Sequence, residues 1–419
     1  MDLIELVTQM PLVKDWHQAI KEHRQRQLLT GLASSAKTLA IASAYRKFKQ
    51  QIIVASPNLY YANQLAEDLM QVTEDVYIFP VDEVLSAEMA FSSPEARAQR
   101  VMTLNALAAN KTGIYILPAA ALRKYLPTPE LWESYRFHWQ IGSEINWQQL
   151  AQQLVLMGYQ RESMIAKPGE FSIRGSILDI YPLTTPHPVR IELFDVEIDS
   201  IRYFDVATQR SLENLEEVTI LPTTELIFSK KDLENGSIQV QELLDKRLSV
   251  TTEQTNKDFL NDYFGQLIAS WKQGVPGEVA GMYADILYPE QTNILSYFQN
   301  DALLFVDDYA RILETNRQIE QEEAEWQTQK IEELRVFPEQ TLDKSCSLFF
   351  NKRSLLRHFS LYFKREWEIS GLKQFITFNI DQCNNSLVKW VFSKQKWIVG
   401  RNKIKRLCFW LAMNNVRKN

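Results

Sequence analysis

The chain has 419 residues, of which 45% are hydrophobic and 23% charged, and its net charge is −6. These values describe a globular chain able to bury a core, with room for two to four domains at ~100–200 residues each. The acidic balance argues against a surface built to coat nucleic acid. No apolar run approaches the ~20 residues of a membrane-spanning helix, and MDLIELVTQM lacks a basic leader before an apolar core, so a cytoplasmic location is expected.

Read in chain order, PLVKDWHQAIKEH (11–23) has the spacing of an amphipathic helix. QLLTG (27–31) is a short apolar run ending in glycine, read as a strand, and Thr38 to Phe48 reads as a helix. IIVAS (52–56), VYIFP (76–80) and IYILP (114–118) read as buried strands, with a helical stretch NQLAEDLMQV after the first. Strands alternating with helices predict an α/β domain, a mostly parallel sheet with helices on both faces. The pattern then changes. INWQQLAQQLVLMGY (145–159) reads as a helix, and GEFSIRGSILDIYPL (169–183) with PVRIELFDVEIDSIRYFD (188–205) reads as an antiparallel β unit turning near Asp195 to Glu197. Together they predict a small α+β domain inserted into the first. After about 217 the chain becomes helical and acidic again. LLFV within DALLFVDDYARI (301–312) is a buried strand, and IEQEEAEWQTQKIEEL (319–334) is a charged helix. The expected division is 1–130 and 217–344 for the α/β domain, 131–216 for the insert and 345–419 for a tail.

Three groups of residues invite a functional reading. GLASSAKT (31–38) nearly satisfies the phosphate-loop pattern G-x-x-x-x-G-K-[ST]. Gly31, Lys37 and Thr38 stand in place, but Ala36 replaces the second glycine that lets the backbone approach an anion. Either the loop holds a nucleotide with magnesium, or it is a turn capping a helix with Lys37 solvated. FVDDYA (305–310) is the matching acidic element. Asp307 would sit beside magnesium and Asp308 beside the attacking water, unless both are solvated acids at a strand end. The third group is Arg174, Arg190 and Arg202 on the β unit, with Arg161 upstream and Glu192 among them. Arginine suits paired hydrogen bonds across a protein interface. The alternative is internal salt bridges to Glu170, Asp179 or Asp205. Nucleophile and metal constellations are weak: there are five histidines, none in H-E-x-x-H, no G-x-S-x-G elbow and no C-x-x-C pair. No catalytic residue and no metal ligand set is expected. Met157 and Trp147 read as core.

GEFSIRGSILDIYPL followed by PVRIELFDVEIDSIRYFDVATQRS strongly resembles the segment shared by bacterial UvrB-type excision-repair proteins and transcription–repair coupling factors. GLASSAKT, FPVDEV, ILPAAALRKYLPTPELW and DALLFVDDYARI fit the same pattern, so the resemblance covers about residues 1 to 340. It implies a degenerate helicase-like parallel-sheet domain interrupted by a UvrB-type domain that binds the damage sensor UvrA. UvrB-type proteins carry a full phosphate loop, a D-E-S-H motif and a long tyrosine-rich hairpin. Here stand GLASSAKT, DDYA and, between Pro80 and Ile114, a stretch with one aromatic, Phe91. The departures favour the N-terminal module of a coupling factor, which implies that the loop is a relic and that no cofactor is needed. ATP and magnesium enter only if the degenerate loop works. The resemblance assigns Arg161, Phe171, Arg174, Arg190, Glu192 and Arg202 to the UvrA surface. It implies that damaged DNA is reached indirectly or weakly, that RNA polymerase is contacted only through domains missing here, and that no membrane is involved. The function implied is an adaptor in nucleotide excision repair; the competing class is an ATP-binding repair helicase subunit.

The last 69 residues differ abruptly. Residues 351–419 hold 15 Lys and Arg against 3 Asp and Glu, a net +12, so residues 1–350 carry the remaining −18. Cys346, Cys383 and Cys408 lie at or beyond the break, and proline is absent after Pro338. When DQCNNSLVKWVF (381–392) is back-translated with permitted codons and read two bases on, it gives SMQQFFSQMGF, which looks like the family's following domain. SLYFKREWEISGLKQ, from Ser360, gives a family-like reading at the same offset. The expectation is a change of frame near Leu348–Phe350 and a poorly ordered tail; resequencing codons 340–360 checks it. A genuine basic arm instead predicts salt-sensitive DNA binding that is lost with 351–419.

Overall fold

The computed structural model describes residues 2–22, 27–30, 32, 35–81 and 93–343, and the backbone of seven strands between 360 and 412. In chain order the elements up to the insert are α1 (Leu3–Gln9), α2 (Pro11–Lys21), β1 (Gln27–Thr30), α3 (Ser35–Phe48), β2 (Ile52–Ser56), α4 (Leu59–Met70), β3 (Val76–Ile78), α5 (Pro94–Ala108), β4 (Ile114–Pro118) and α6 (Pro129–Ser134). The insert contains β5 (Phe137–Gln140), α7 (Trp147–Leu156), β6 (Gln160–Arg161), β7 (Glu170–Arg174), β8 (Ile177–Ile180), β9 (Val189–Phe194), β10 (Glu197–Phe204), β11 (Ser211–Leu215) and β12 (Glu217–Ile220). Then follow α8 (Lys230–Val250), α9 (Gln254–Lys272), α10 (Ala284–Leu287), β13 (Leu303–Asp307) and α11 (Tyr309–Glu332).

The β2, β3, β4 and β13 runs are apolar apart from the terminal Ser56 and Asp307, as befits strands covered on both sheet faces. They pair in parallel in the order β13-β2-β4-β3. On one face Ile52, Val54, Ile114, Ile116 and Phe305 meet Trp16 and Ile20 of α2, Ile41 of α3 and Leu69 of α4. On the other, Ile53, Ala55, Tyr115, Leu117 and Val306 meet Leu104 and Leu107 of α5 and Ile312 and Ile319 of α11. This is the parallel sheet with helices on both faces that the alternation predicts. Ser360–Lys364 lies between β1 and β13, parallel to both. The expectation of little order beyond 345 concerns a stretch whose side chains lie outside the described residues, as does Phe91.

A buried histidine ties α2 to α3. His17 is enclosed, with its Nε2 3.4 Å from Ser43 Oγ. Burial, reinforced by the nearby Lys47 and Lys21 charges, pulls the imidazole down to about 4. The folded state therefore holds His17 neutral where the unfolded chain takes up a proton. Its contribution is complete above about 6.5 and is lost as pH falls towards about 4. The full shift corresponds to roughly 3 kcal/mol. Urea unfolding at pH 7 and pH 4.5 is expected to show a smaller acid loss for His17→Leu than for the wild type.

The insert is joined to the scaffold through a two-stranded neck. β5 pairs antiparallel with β12, Phe137 opposite Ile220. Beyond the neck, α8, α9 and α10 form a helical unit whose core includes Phe264, Trp271, Tyr283 and Phe337. No helix among the described residues is long and apolar enough to cross a membrane.

Candidate docking face

The insert is a six-stranded sheet in the order β11-β10-β9-β8-β7-β6, covered on one face by α7. Leu150, Leu154 and Met157 pack on Phe171, Leu178, Ile180, Ile191 and Ile201. Met157 is thus core, as its pattern suggests; the Trp147 side chain lies outside the described residues. Because strand residues alternate between faces, Ser172, Arg174, Asp179, Arg190, Glu192, Phe194 and Arg202 point the other way. The β9–β10 turn falls where expected, with Asp195 at φ 59.

The register sets the chemistry of this outer face. Ser172 lies opposite Asp179, Asp179 opposite Arg190, and Arg190 opposite Arg202. Two arginines placed side by side repel unless each finds an acid. Asp179, itself 2% exposed, serves one of them. It accepts from Arg190 Nε at 2.6 Å and Nη2 at 2.9 Å, and also from Arg174 Nη2 at 2.6 Å. Arg190 donates further to Gln209 Oε1 at 2.8 Å, and its guanidinium lies 4.4 Å over the Phe204 ring. Arg202 turns to Glu192 and to Ser200 Oγ, the latter at 3.0 Å. The hydrogen bond from Arg202 holds the Glu192 carboxyl below its ordinary range, and the bond to Asp179 raises Arg190 further.

The internal pairing weighed in the sequence is therefore realised at Asp179, and exposure ranks the predicted contacts. The Arg174 side chain is 47% exposed, that of Arg190 14% and that of Arg202 18%. Arg161 is exposed on β6 beside Phe171. Phe171 is a correction: it is wholly enclosed in the core under α7 and cannot touch a partner. Glu192 is engaged by Arg202 and Ser200, with its side chain 34% exposed. Glu170 instead accepts the Ala166 and Lys167 amides at 2.7 and 3.1 Å, and Asp205 accepts from the Thr208 amide and hydroxyl. The sequence reading missed Phe194, which is 81% exposed at the end of β9 on the arginine-bearing face.

The second group converges at the carboxyl edge of the parallel sheet. Lys37, in the first turn of α3, is paired with Asp307 at the end of β13. Neither the solvated lysine nor the solvated aspartate survives as a reading: Asp307 is buried and Lys37 only partly exposed. Asp308 has a left-handed φ of 56 and accepts from the Arg311 amide at 3.3 Å, so it caps α11. The Arg311 guanidinium lies 4.9 Å over the Tyr61 ring. Thr38 is buried, and Gly31 lies outside the described residues.

Residues 137–226 match the family model of the UvrB interaction domain, so the match coincides with the neck and the six-stranded sheet. Over 357 residues, 84% of this chain, the sequence is 36% identical to the transcription-repair-coupling factor of Bacillus subtilis strain 168, of which it covers 30%. Against the protein of the same name from Staphylococcus aureus strain RF122 it is 36% identical over 304 residues, 70% of this chain and 25% of the relative. The chain thus spans less than a third of the length of either relative. Fold and match together define a mixed α/β protein that carries a UvrB interaction domain as an insert. Over most of its length it corresponds to the N-terminal module of the transcription-repair-coupling factors.

Proposed function

We propose that the outer face of the six-stranded sheet is a docking surface for UvrA, and that the chain acts as an adaptor recruiting it in nucleotide excision repair without hydrolysing a nucleotide itself. The observation that carries this reading is the coincidence of the UvrB interaction domain with a rigid sheet face presenting Arg174 and Phe194 to solvent. An arginine and an exposed aromatic on one sheet face have the composition of an interface hot spot. Arg190 supports the face through Asp179, and Glu192 and Arg202 support it through their own pair, whereas Arg161, the cross-strand partner of Phe171, belongs to the opposite side at the β6 edge. Damaged DNA would be reached through the partner, and RNA polymerase through regions of the relatives that this chain does not match. Capture of purified UvrA by the full chain tests the reading. Arg174→Ala is expected to weaken it by at least tenfold; absence of capture by the wild type refutes it.

A nucleotide-binding repair helicase subunit is the second reading. Ala36 weighs against it, because it replaces the second glycine that lets the loop backbone approach a phosphate. Titration with ATP and magnesium is expected to give no saturable signal in either the wild type or Lys37→Ala. Saturable binding that Lys37→Ala abolishes would favour the helicase.

A further inference from the structure

Asp179 cannot itself touch a partner, yet it is the residue on which the exposed arginine depends. It lies in the middle of the sheet, in β8, between β7 and β9, and is 2% exposed. Its Oδ2 takes Arg174 Nη2 at 2.6 Å, and its two oxygens take Arg190 through Nε and Nη2. Gln209 Oε1 and the Phe204 ring hold the Arg190 guanidinium from its other sides, so Arg190 is locked and locks Asp179 in turn. A buried carboxylate bound to two guanidiniums leaves one positive charge uncompensated. With the Arg202–Glu192 pair included the cluster still carries one surplus positive charge, and Arg174 is the most exposed of its three arginines. One edge of the Arg174 guanidinium is fixed by Asp179, and about half of the side chain remains open to solvent.

We propose, resting on the docking reading above, that Asp179 is the positioning residue of this face, fixing Arg174 so that its open edge meets a carboxylate of the partner. The pre-set fork removes rotamer freedom that a free arginine would lose on binding. The surplus charge selects an acidic contact over a basic or neutral one. Lysine at 174 would keep the charge but lose the fork that bonds Asp179 and a partner carboxylate at once.

The experiment measures UvrA affinity of the full chain at two salt concentrations for the wild type, Asp179→Asn, Arg174→Ala, Arg174→Lys and the double variant Asp179→Asn with Arg174→Ala. Asp179→Asn is expected to lose about tenfold to a hundredfold, the loss that follows removal of a charged hydrogen bond. The double variant is expected to lose no more than Arg174→Ala alone, since Asp179 acts through Arg174. Arg174→Lys, which keeps the charge and leaves the sheet core untouched, is expected to bind as poorly as Arg174→Ala. The wild type is expected to weaken with salt more steeply than either Arg174 variant. Additive losses in the double variant, wild-type affinity in Asp179→Asn, or wild-type affinity in Arg174→Lys would each overturn the proposal while leaving UvrA docking in place. Failure of the wild type to bind UvrA removes the docking reading itself, and the proposal with it.

Discussion

Arg123→Met is expected to destabilise the chain by about 3–5 kcal/mol, the cost of removing one partner from a buried ion network. Arg123 stands just past the 3-10 turn Ala119–Leu122 that follows β4, and its side chain is 2% exposed. It donates to Asn316 Oδ1 at 2.9 Å, reaches Glu320 Oε1 at 3.3 Å, and pairs with Glu323. All three partners lie on α11, so this one guanidinium pins the long helix to the carboxyl end of the sheet. The Asp343 carboxyl also lies against Glu323, which places more acid than base in the pocket. Burial is the main reason that Glu323 is pushed up to about 7, and Asp343 adds to it against the opposing pull of Arg123. The folded state therefore binds a proton here that the unfolded chain releases near its ordinary value of about 4.5. The stabilisation from that proton is complete below about 4.5 and is lost as pH rises through about 7. Replacing arginine by methionine leaves Glu323 without its counter-charge, and total stabilities of about 5–15 kcal/mol leave little margin. Denaturant unfolding at pH 6 and pH 8 checks both parts. Arg123→Met should lower the midpoint strongly, and more at pH 8 than at pH 6. Adding Glu323→Gln should recover part of the loss and flatten the dependence. An Arg123→Met protein as stable as the wild type at pH 8 would remove the network from the account of how α11 is held.

Much of the scaffold was legible because local pattern and final environment agree. IIVAS, IYILP and LLFV are unbroken apolar runs, and each became a strand covered on both faces. The alternation in PVRIELF gave β9 its inner Val189, Ile191 and Leu193, and the turn at Asp195 closed the hairpin as read. Phe171 was misplaced although the same rule covers it. It lies three residues from Arg174, an odd spacing on one strand, so the two must face opposite ways. Assignment by resemblance overrode a parity that the sequence already contained. Other features had no local signal. Lys37 and Asp307 are 270 positions apart, and their pairing depends on α3 and β13 ending at the same edge of the sheet. Sharing of Asp179 between Arg174 and Arg190 depends on the register of three strands, which composition does not fix. Asp308 is similar: an acid after a strand looks catalytic in sequence, but its left-handed backbone turns it into the cap of the helix that follows.

Phe194→Ala is expected to weaken UvrA binding by about 2 kcal/mol or more, roughly thirtyfold, while leaving folding unchanged. The two halves of this expectation come from one observation. At 81% exposure the ring contributes little to the core beneath, where Leu193 and Ile191 fill the inward positions. Its removal should therefore move the unfolding midpoint hardly at all. The ring still has to give up rotamer freedom when a partner covers it, and the apolar area it buries must exceed that cost. Its position opposite Glu197 at the hairpin end puts it at the margin of the Asp179–Arg190 ladder, so apolar burial and charged contact can occur side by side. Arg174 lies two strands away, in register with Ile177 and Glu192, so the two losses should add. Calorimetric titration of Phe194→Ala, Arg174→Ala and the pair, each with a matched unfolding curve, measures affinity and coupling separately. Ile238→Ala on α8, a comparably exposed apolar residue on the helical unit, is the control and should bind as the wild type does. Equal losses at Phe194 and Ile238 would mean that exposed apolar surface in general, and not this face, holds the partner.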